Sequence, residues 1–271
     1  MNQFQIFFVE HQTELRMVSF VGLILIFAGL EIIWPKRAAD EQSKFRRLNN
    51  LTLLFVNFIA VRYLVPWATL DVALIAAERD FGLLNIISVP MFLSVILTII
   101  IFDLLIYIQH IIFHKLSFLW RIHRVHHTDL EFDVTTAIRF HPLEIILSMF
   151  YKLIAVYLIG PLAFAIILYE IILNAAALFG HSNIMLNTKF DSALRTLFVT
   201  PDMHRIHHSI VRKETDSNYG NVFSIWDKIF KTYRALPKAG YDDMVIGLDK
   251  FRQPSSGQVL QLLKNPFTTG S

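Results

Sequence analysis

Apolar residues run through this chain in long blocks rather than in alternation. Met17 to Trp34 forms a first block whose one charge, Glu31, lies near its end. Leu51 to Leu70 follows, interrupted by Arg62, and Ile86 to Gln109 carries only Asp103. Leu143 to Phe179 is longer, contains Lys152 and Glu170, and is broken by Gly160-Pro161. A helix needs about 20 residues to cross the hydrocarbon core of a bilayer. The last block therefore predicts two helices in a tight hairpin, and the whole pattern predicts four to five membrane helices arranged as two hairpins. Charges at membrane depth usually face a protein interior, so Lys152 and Glu170 are expected to point inward. The polar segments between the blocks are expected to form a helical cap. The fold class this gives is an all-α integral membrane protein, divided into an N-terminal hairpin with loops (1–85), a second region that carries the clustered histidines (86–250) and a tail (251–271).

Charge sets the expected orientation. The loop Lys36 to Arg47 holds Lys36, Arg37, Lys44, Arg46 and Arg47, and basic loops stay in the cytoplasm. The next loop, with Asp71, Glu78, Arg79 and Asp80, is then expected outside. The third membrane helix returns His110 to the cytoplasmic face, where Lys115 to His141 and everything from Ser182 onward would also lie. Composition agrees with a membrane protein: 54% of residues are hydrophobic and 24 are phenylalanine. Cysteine is absent, which excludes disulfides and thiolate metal sites. A net charge of +3, dispersed along the chain, gives no nucleic-acid footprint. No basic segment precedes the first apolar run and no small-residue cleavage site follows it, so no removable signal peptide is expected.

Eight of the eleven histidines fall in three five-residue windows. HIIFH holds His110 and His114, HRVHH holds His123, His126 and His127, and HRIHH holds His204, His207 and His208. On a helix, positions i, i+3 and i+4 share one face, so each window can aim two or three imidazoles at one point. Structural zinc takes four ligands, and catalytic zinc usually three plus water. Eight imidazoles exceed one such ion and suit a dimetal cage with open positions. Imidazole suits iron, zinc, copper and nickel alike. No H-E-x-x-H pattern is present, which weighs against a zinc protease. A zinc-dependent membrane hydrolase and a metal transporter or sensor are the competing readings. A transporter places its ligands near mid-bilayer, whereas these lie mostly in polar segments.

Metal-bound histidines usually donate their second N–H to a carboxylate or carbonyl. Candidates are Asp103, two turns before His110; Asp129, Glu131 and Asp133 after the second window; and Asp202 before the third. His141, followed by Pro142 and close to Glu144, predicts a helix start that supports a ligand from behind or coordinates directly. Arg124 and Arg205 are expected to point away from the metals, toward solvent, headgroups or an electron donor. In the tail, PSSG (254–257) reads as a polar turn and Val259 to Leu263 as a short stretch on the membrane surface. His11 is isolated.

The three windows, set within FDLLIYIQHIIFH, LWRIHRVHHTDLEFDVTTAIRFHPLE and TPDMHRIHHSIVRKETDSNYGNVFSIWDKIFKTY, resemble the fatty acid hydroxylase and sterol desaturase superfamily, in particular its bacterial sterol desaturase branch. The resemblance covers roughly residues 90 to 250. It implies a membrane-bound non-haem di-iron enzyme that uses O2 and two external electrons to hydroxylate or desaturate a lipid C–H bond. It further implies His181, in FGHSN, as a ninth ligand. Relatives often carry another His or an Asn four residues earlier, where this chain has Ala177; Asn174 lies on the same helical face, with Glu170. The chain also departs from the family at Lys231, where Gly is common. The chain has no Gly-rich dinucleotide fingerprint and no attached cytochrome-like segment, so a separate ferredoxin- or cytochrome b5-type donor with its reductase is expected. The expected location is a bacterial inner membrane with the metals on the cytoplasmic side. Sterol, fatty acyl chain, sphingolipid, ether lipid and carotenoid all remain open as substrates.

Overall fold

The computed structural model describes residues 3–40, 43–87 and 89–269. In chain order the helices are α1 (Gln3–Glu10), α2 (Gln12–Ile33), α3 (Ser43–Leu64), α4 (Thr69–Glu78), α5 (Leu83–Ile86), α6 (Met91–Lys115), α7 (Ser117–His127), α8 (Pro142–Ile159), α9 (Ala163–Gly180), α10 (Thr188–Leu194), α11 (Pro201–His207), α12 (Arg212–Thr215), α13 (Ile225–Ile229), α14 (Gly240–Asp243) and α15 (Val259–Lys264). Among the described residues there is no extended strand, only isolated bridges. Among the described residues five stretches are long and apolar enough to cross a membrane: Gln12–Ile33, Ser43–Ile86, Met91–Lys115, Pro142–Ile159 and Ala163–Gly180. Their outer faces are apolar and exposed, with Val18, Leu25, Phe55, Phe58, Phe92 and Ile154 turned outward. Such a surface is costly against water and natural against lipid. The chain is an integral membrane protein.

Helix α9 forms the centre of the bundle. It packs against α2, α4 and α6, and its Ala165, Ile166, Ile167 and Tyr169 are fully buried. The hairpin between α8 and α9 forms where Gly160-Pro161 predicts it. Gly160 ends α8 in the left-handed conformation, φ 62°, which costs glycine nothing and other residues more than a kcal/mol, about 1–2. Space enforces the same choice: a Cβ on Gly160 would sit 2.6 Å from Asn85 Nδ2. The start of α8 is equally well specified, with His141 as N-cap and Pro142 in the first turn.

Two sequence expectations change here. The segment with Asp71 and Glu78 is a helix, α4, with Thr69, Leu70, Ala73 and Ala76 buried against α8 and α9. Its charges mark a helix start and end: Asp71 Oδ2 accepts the Ala68 N–H at 2.9 Å. The break before it follows from Pro66, which disfavours helix at the preceding residue. The tail also differs from expectation. Leu262 in α15 is fully buried and packs with Leu53 of α3 and Val125 of α7, so one face of this stretch closes the cap, while Leu260 stays exposed.

The basic loop after α2 lies against the histidine-bearing cap. Lys36 pairs with Asp202 at 2.8 Å, and Lys36 N donates to Asn183 O. Glu31, near the end of α2, accepts backbone N–H groups from Val134 and Asn183, each at 2.7 Å. The membrane bundle thereby holds the segments that follow the second histidine window and His181.

Candidate metal centre

The cap assembles from helix ends. α6 runs past the bundle and presents His110 and His114 in its last two turns. α7 follows after one residue and carries His123, His126 and His127 on its final turn. His181 caps the end of α9. α11 starts at Thr200, with Pro201 in its first turn, and brings in His204 and His207, with His208 at its C-cap. All nine side chains converge in two groups. His110, His114, His123, His127 and His207 form one, and His126, His181, His204 and His208 form the other. Within each group the ligand-type nitrogens lie within 4.8 Å of one another. The second and third windows each divide their histidines between the groups.

The nitrogens are arranged as ligands rather than as hydrogen-bond partners. Nε2 of His126 and of His204 lie 3.1 Å from Nε2 of His181, and Nε2 of His127 lies 3.2 Å from Nε2 of His123. His110 Nε2, His207 Nε2 and both ring nitrogens of His114 and His208 are buried without a hydrogen-bond partner. Such groups cost free energy unless something accepts their lone pairs. On four rings the opposite nitrogen is fixed. His110 Nδ1 donates to Tyr219 O at 2.8 Å, His181 Nδ1 to Ala177 O at 2.7 Å, and His207 Nδ1 to Ser217 O at 2.7 Å. His123 Nδ1 donates to Glu144 Oε1 at 2.6 Å. A carbonyl or carboxylate only accepts, so these four rings carry their proton on Nδ1 and turn the Nε2 lone pair inward. Burial pushes His181 down to about 4. Burial and mutual repulsion push His126, His127, His204, His207 and His208 well below the usual imidazole range. Neutral imidazole is the form that binds metal, so the donor set fits two imidazole-bound metal ions.

The supporting residues differ in part from those expected. Glu144 holds His123, as its place near a helix start suggests. His141 takes no part in either group; its Nδ1 accepts the Leu143 N–H at 3.1 Å and its Nε2 meets Leu263 O at 3.2 Å. Asp103 touches no histidine. It accepts from Val222 N, Phe223 N and Trp226 Nε1, fixing the loop whose Tyr219 carbonyl holds His110. Asp202 pairs with Lys36 and Arg205. Asp129, Glu131 and Asp133 are taken by Arg46, and Asp133 also by Arg47 at 2.7 Å. These acids balance the basic loop, and backbone carbonyls orient the rings in their place. Asp216 Oδ1 lies 3.4 Å from His114 Nδ1. Arg124 and Arg205 are buried, at 1% and 0% exposure, and do not reach solvent or headgroups. Arg124 Nε donates to Asn265 Oδ1 at 2.8 Å and Nη2 to Asn265 O at 2.6 Å; the Arg205 guanidinium lies 4.7 Å from the centre of the Phe132 ring. His11 stacks on Phe7, outside both groups.

A cavity of about 220 Å³ opens between α6, α8 and α9 and reaches both groups, touching His110 and His123 of one and His126, His181 and His204 of the other. Glu144, Ser148 and Lys152 line it at every fourth residue of α8, with Gln109, Asn174 and Asn221 on the other walls. Gln109, Ser148 and Asn221 were not singled out by the sequence, because isolated polar residues carry no spacing signal.

The fatty acid hydroxylase family model matches residues 95–232, which contains all nine histidines. The chain belongs to the fatty acid hydroxylase family. Among curated relatives, an ornithine lipid hydroxylase, OlsE, of Rhizobium tropici is 30% identical over 157 residues, 58% of this chain and 46% of the relative. Alkylglycerol monooxygenase of Caenorhabditis elegans is 31% identical over 133 residues, 49% of this chain and 25% of the relative. The human alkylglycerol monooxygenase is 33% identical over 127 residues, 46% of this chain and 27% of the relative. The chain thus covers less than half the length of each of these three. No solved structure matches.

Proposed function

We propose that this protein is a membrane-bound oxidoreductase that hydroxylates or desaturates a C–H bond of a lipid, using O2, two iron ions and two electrons from a separate donor. The observation that carries the reading is the placement of both histidine groups at one end of a cavity that opens between membrane helices. The family and the relatives support it, since those named are a lipid hydroxylase and a monooxygenase of an alkyl lipid. Hydroxylation balances as RH + O2 + 2e⁻ + 2H⁺ giving ROH + H2O, and desaturation releases a second water in place of the alcohol.

The nine histidines would hold the ions, which supply the activation of dioxygen when bound. The chain's own residues do the rest. Carbonyls of Tyr219, Ala177 and Ser217, with Glu144, orient the imidazoles. Buried packing around the rings excludes bulk water, which strengthens every charge interaction inside. The walls of α6, α8 and α9 position the lipid. We place the cap on the cytoplasmic side of a bacterial inner membrane, on the basis of the basic loop Lys36 to Arg47. The donor is a soluble or membrane-bound ferredoxin- or cytochrome b5-type protein with its reductase.

Metal content per chain after gentle detergent extraction tests the reading, with His126→Ala and His207→Ala as variants drawn from the two groups. Two irons per chain in the parent protein, with metal lost in each variant, is the expected result. One zinc per chain that survives either substitution overturns it. Oxygen-dependent conversion of a lipid extract under an artificial reductant is the companion assay.

A further inference from the structure

We propose that the end of the cavity away from the histidines binds an anionic group, a carboxylate or a phosphate, carried by the lipid, and that Lys152 is the residue that selects it. This rests on the oxygenase reading and names its substrate class. Lys152 lines the cavity, eight residues beyond Glu144 on α8 and about 12 Å along the helix axis from it, Glu144 being the residue that meets His123. Its side chain is 14% exposed, and its one ion pair is with Glu170, at 3.2 Å. Glu170 is already held more closely by Arg16, at 2.6 Å, and by the Thr69 hydroxyl at 3.1 Å. Two cations therefore share one carboxylate, and the cluster carries a surplus positive charge. An ammonium has three donors, and Glu170 takes only part of that capacity.

Charge at membrane depth is expensive and marks substrate or ion pathways. A cavity meant only for hydrocarbon would be lined by hydrocarbon. Here Gln109, Ser148, Asn174 and Asn221 share the wall with Lys152. Gln109 Nε2 donates to Ser148 Oγ at 2.8 Å and Asn221 Nδ2 to Leu173 O at 3.1 Å, which keeps these groups in place along the path. A lipid whose anionic oxygen meets Lys152 presents to the imidazoles a C–H bond set back by roughly the two turns of α8 that separate Lys152 from Glu144. The oxidised carbon is thus set by its distance from the anionic group.

Binding of cis-parinaric acid, its methyl ester and a parinaroyl phosphatidate, followed by fluorescence on the detergent-purified full chain, tests this. The acid or the phosphatidate is expected to bind roughly ten- to a hundredfold more tightly than the ester, as a charge-assisted hydrogen bond gives. Whichever of the two binds more tightly identifies carboxylate or phosphate as the group. Lys152→Met should abolish the preference, Lys152→Arg should keep it, and both should retain the parent's metal content. Equal binding of all three probes by the parent protein, or a preference that survives in Lys152→Met, overturns the proposal. Parent protein without bound iron would instead overturn the oxygenase reading, so the two failures are distinguishable.

Discussion

On the two-metal reading proposed above, replacing Glu144 should loosen one ion and leave the other nearly untouched. The Glu144 carboxylate accepts the His123 Nδ1 proton at 2.6 Å, with both side chains buried. It fixes the ring's tautomer and turns the Nε2 lone pair toward the other rings of its group. Loss of such a partner typically lowers metal affinity 10–100-fold, about 1.4–2.7 kcal/mol. Glu144→Gln keeps an amide oxygen within reach and should fall at the low end. Glu144→Ala leaves the Nδ1 proton without an acceptor and should fall at the high end. His123 belongs to the group with His110, His114, His127 and His207, whereas His181 in the other group is anchored by a carbonyl. Titrating the iron-loaded variant with a chromogenic chelator should therefore give two phases, one shifted and one at the parent position. Release unchanged in both variants, or both ions loosened equally, would refute the reasoning.

Three further outcomes follow from features of the cap. Lys231 sits at φ 60°, a conformation that costs an L-residue about 1–2 kcal/mol; after the greater unfolded-state entropy of glycine is subtracted, Lys231→Gly should stabilise by about 0.5–1 kcal/mol, seen as a rise of the melting temperature, and a fall would count against it. Acid should destabilise the metal-free protein. His181 drops from 6.5 to about 4 on folding, so the unfolded chain binds the extra proton once pH falls below about 6.5. Stability is then lost progressively down to about 4, worth about 3 kcal/mol for this ring alone. Chemical unfolding that is flat between pH 7 and 5 would contradict this. Asn265→Ala removes the side-chain acceptor of the buried Arg124 Nε and should cost about 1.5–3 kcal/mol, measured by the same unfolding experiment, while Thr269→Ala on the neighbouring exposed turn serves as the silent control.

The sequence carried the ligand rings further than their supports. Histidines at i, i+3 and i+4 announce a shared face, and Gly160-Pro161 announces a hairpin, because each is a local rule of helix geometry. The carbonyls of Tyr219, Ala177 and Ser217 have no signature, since every residue has one. Asp129, Asp133 and Asp202 looked like histidine partners for lack of any sign that Arg46, Arg47 and Lys36 would take them. Arg124 and Arg205 were read as surface residues because a helix with histidines inside is expected to have an outside. Both arginines are instead covered, Arg124 by the tail at Asn265 and Arg205 on a helix packed against α9 and α12. Lys231, singled out as a departure from Gly, turned out to occupy a backbone conformation that glycine adopts freely.

The clasp on Arg124 also has a consequence for the order in which the protein is made. Asn265 lies 141 residues after the arginine it holds, and Leu262 seals Val125 from the same side. While the chain is being synthesised, the helix bearing His123, His126 and His127 lacks the Asn265 acceptors and the cover of Leu262. The packing of that helix is therefore completed only after residue 265 has been made, and a polypeptide ending before residue 262 would lack both contacts.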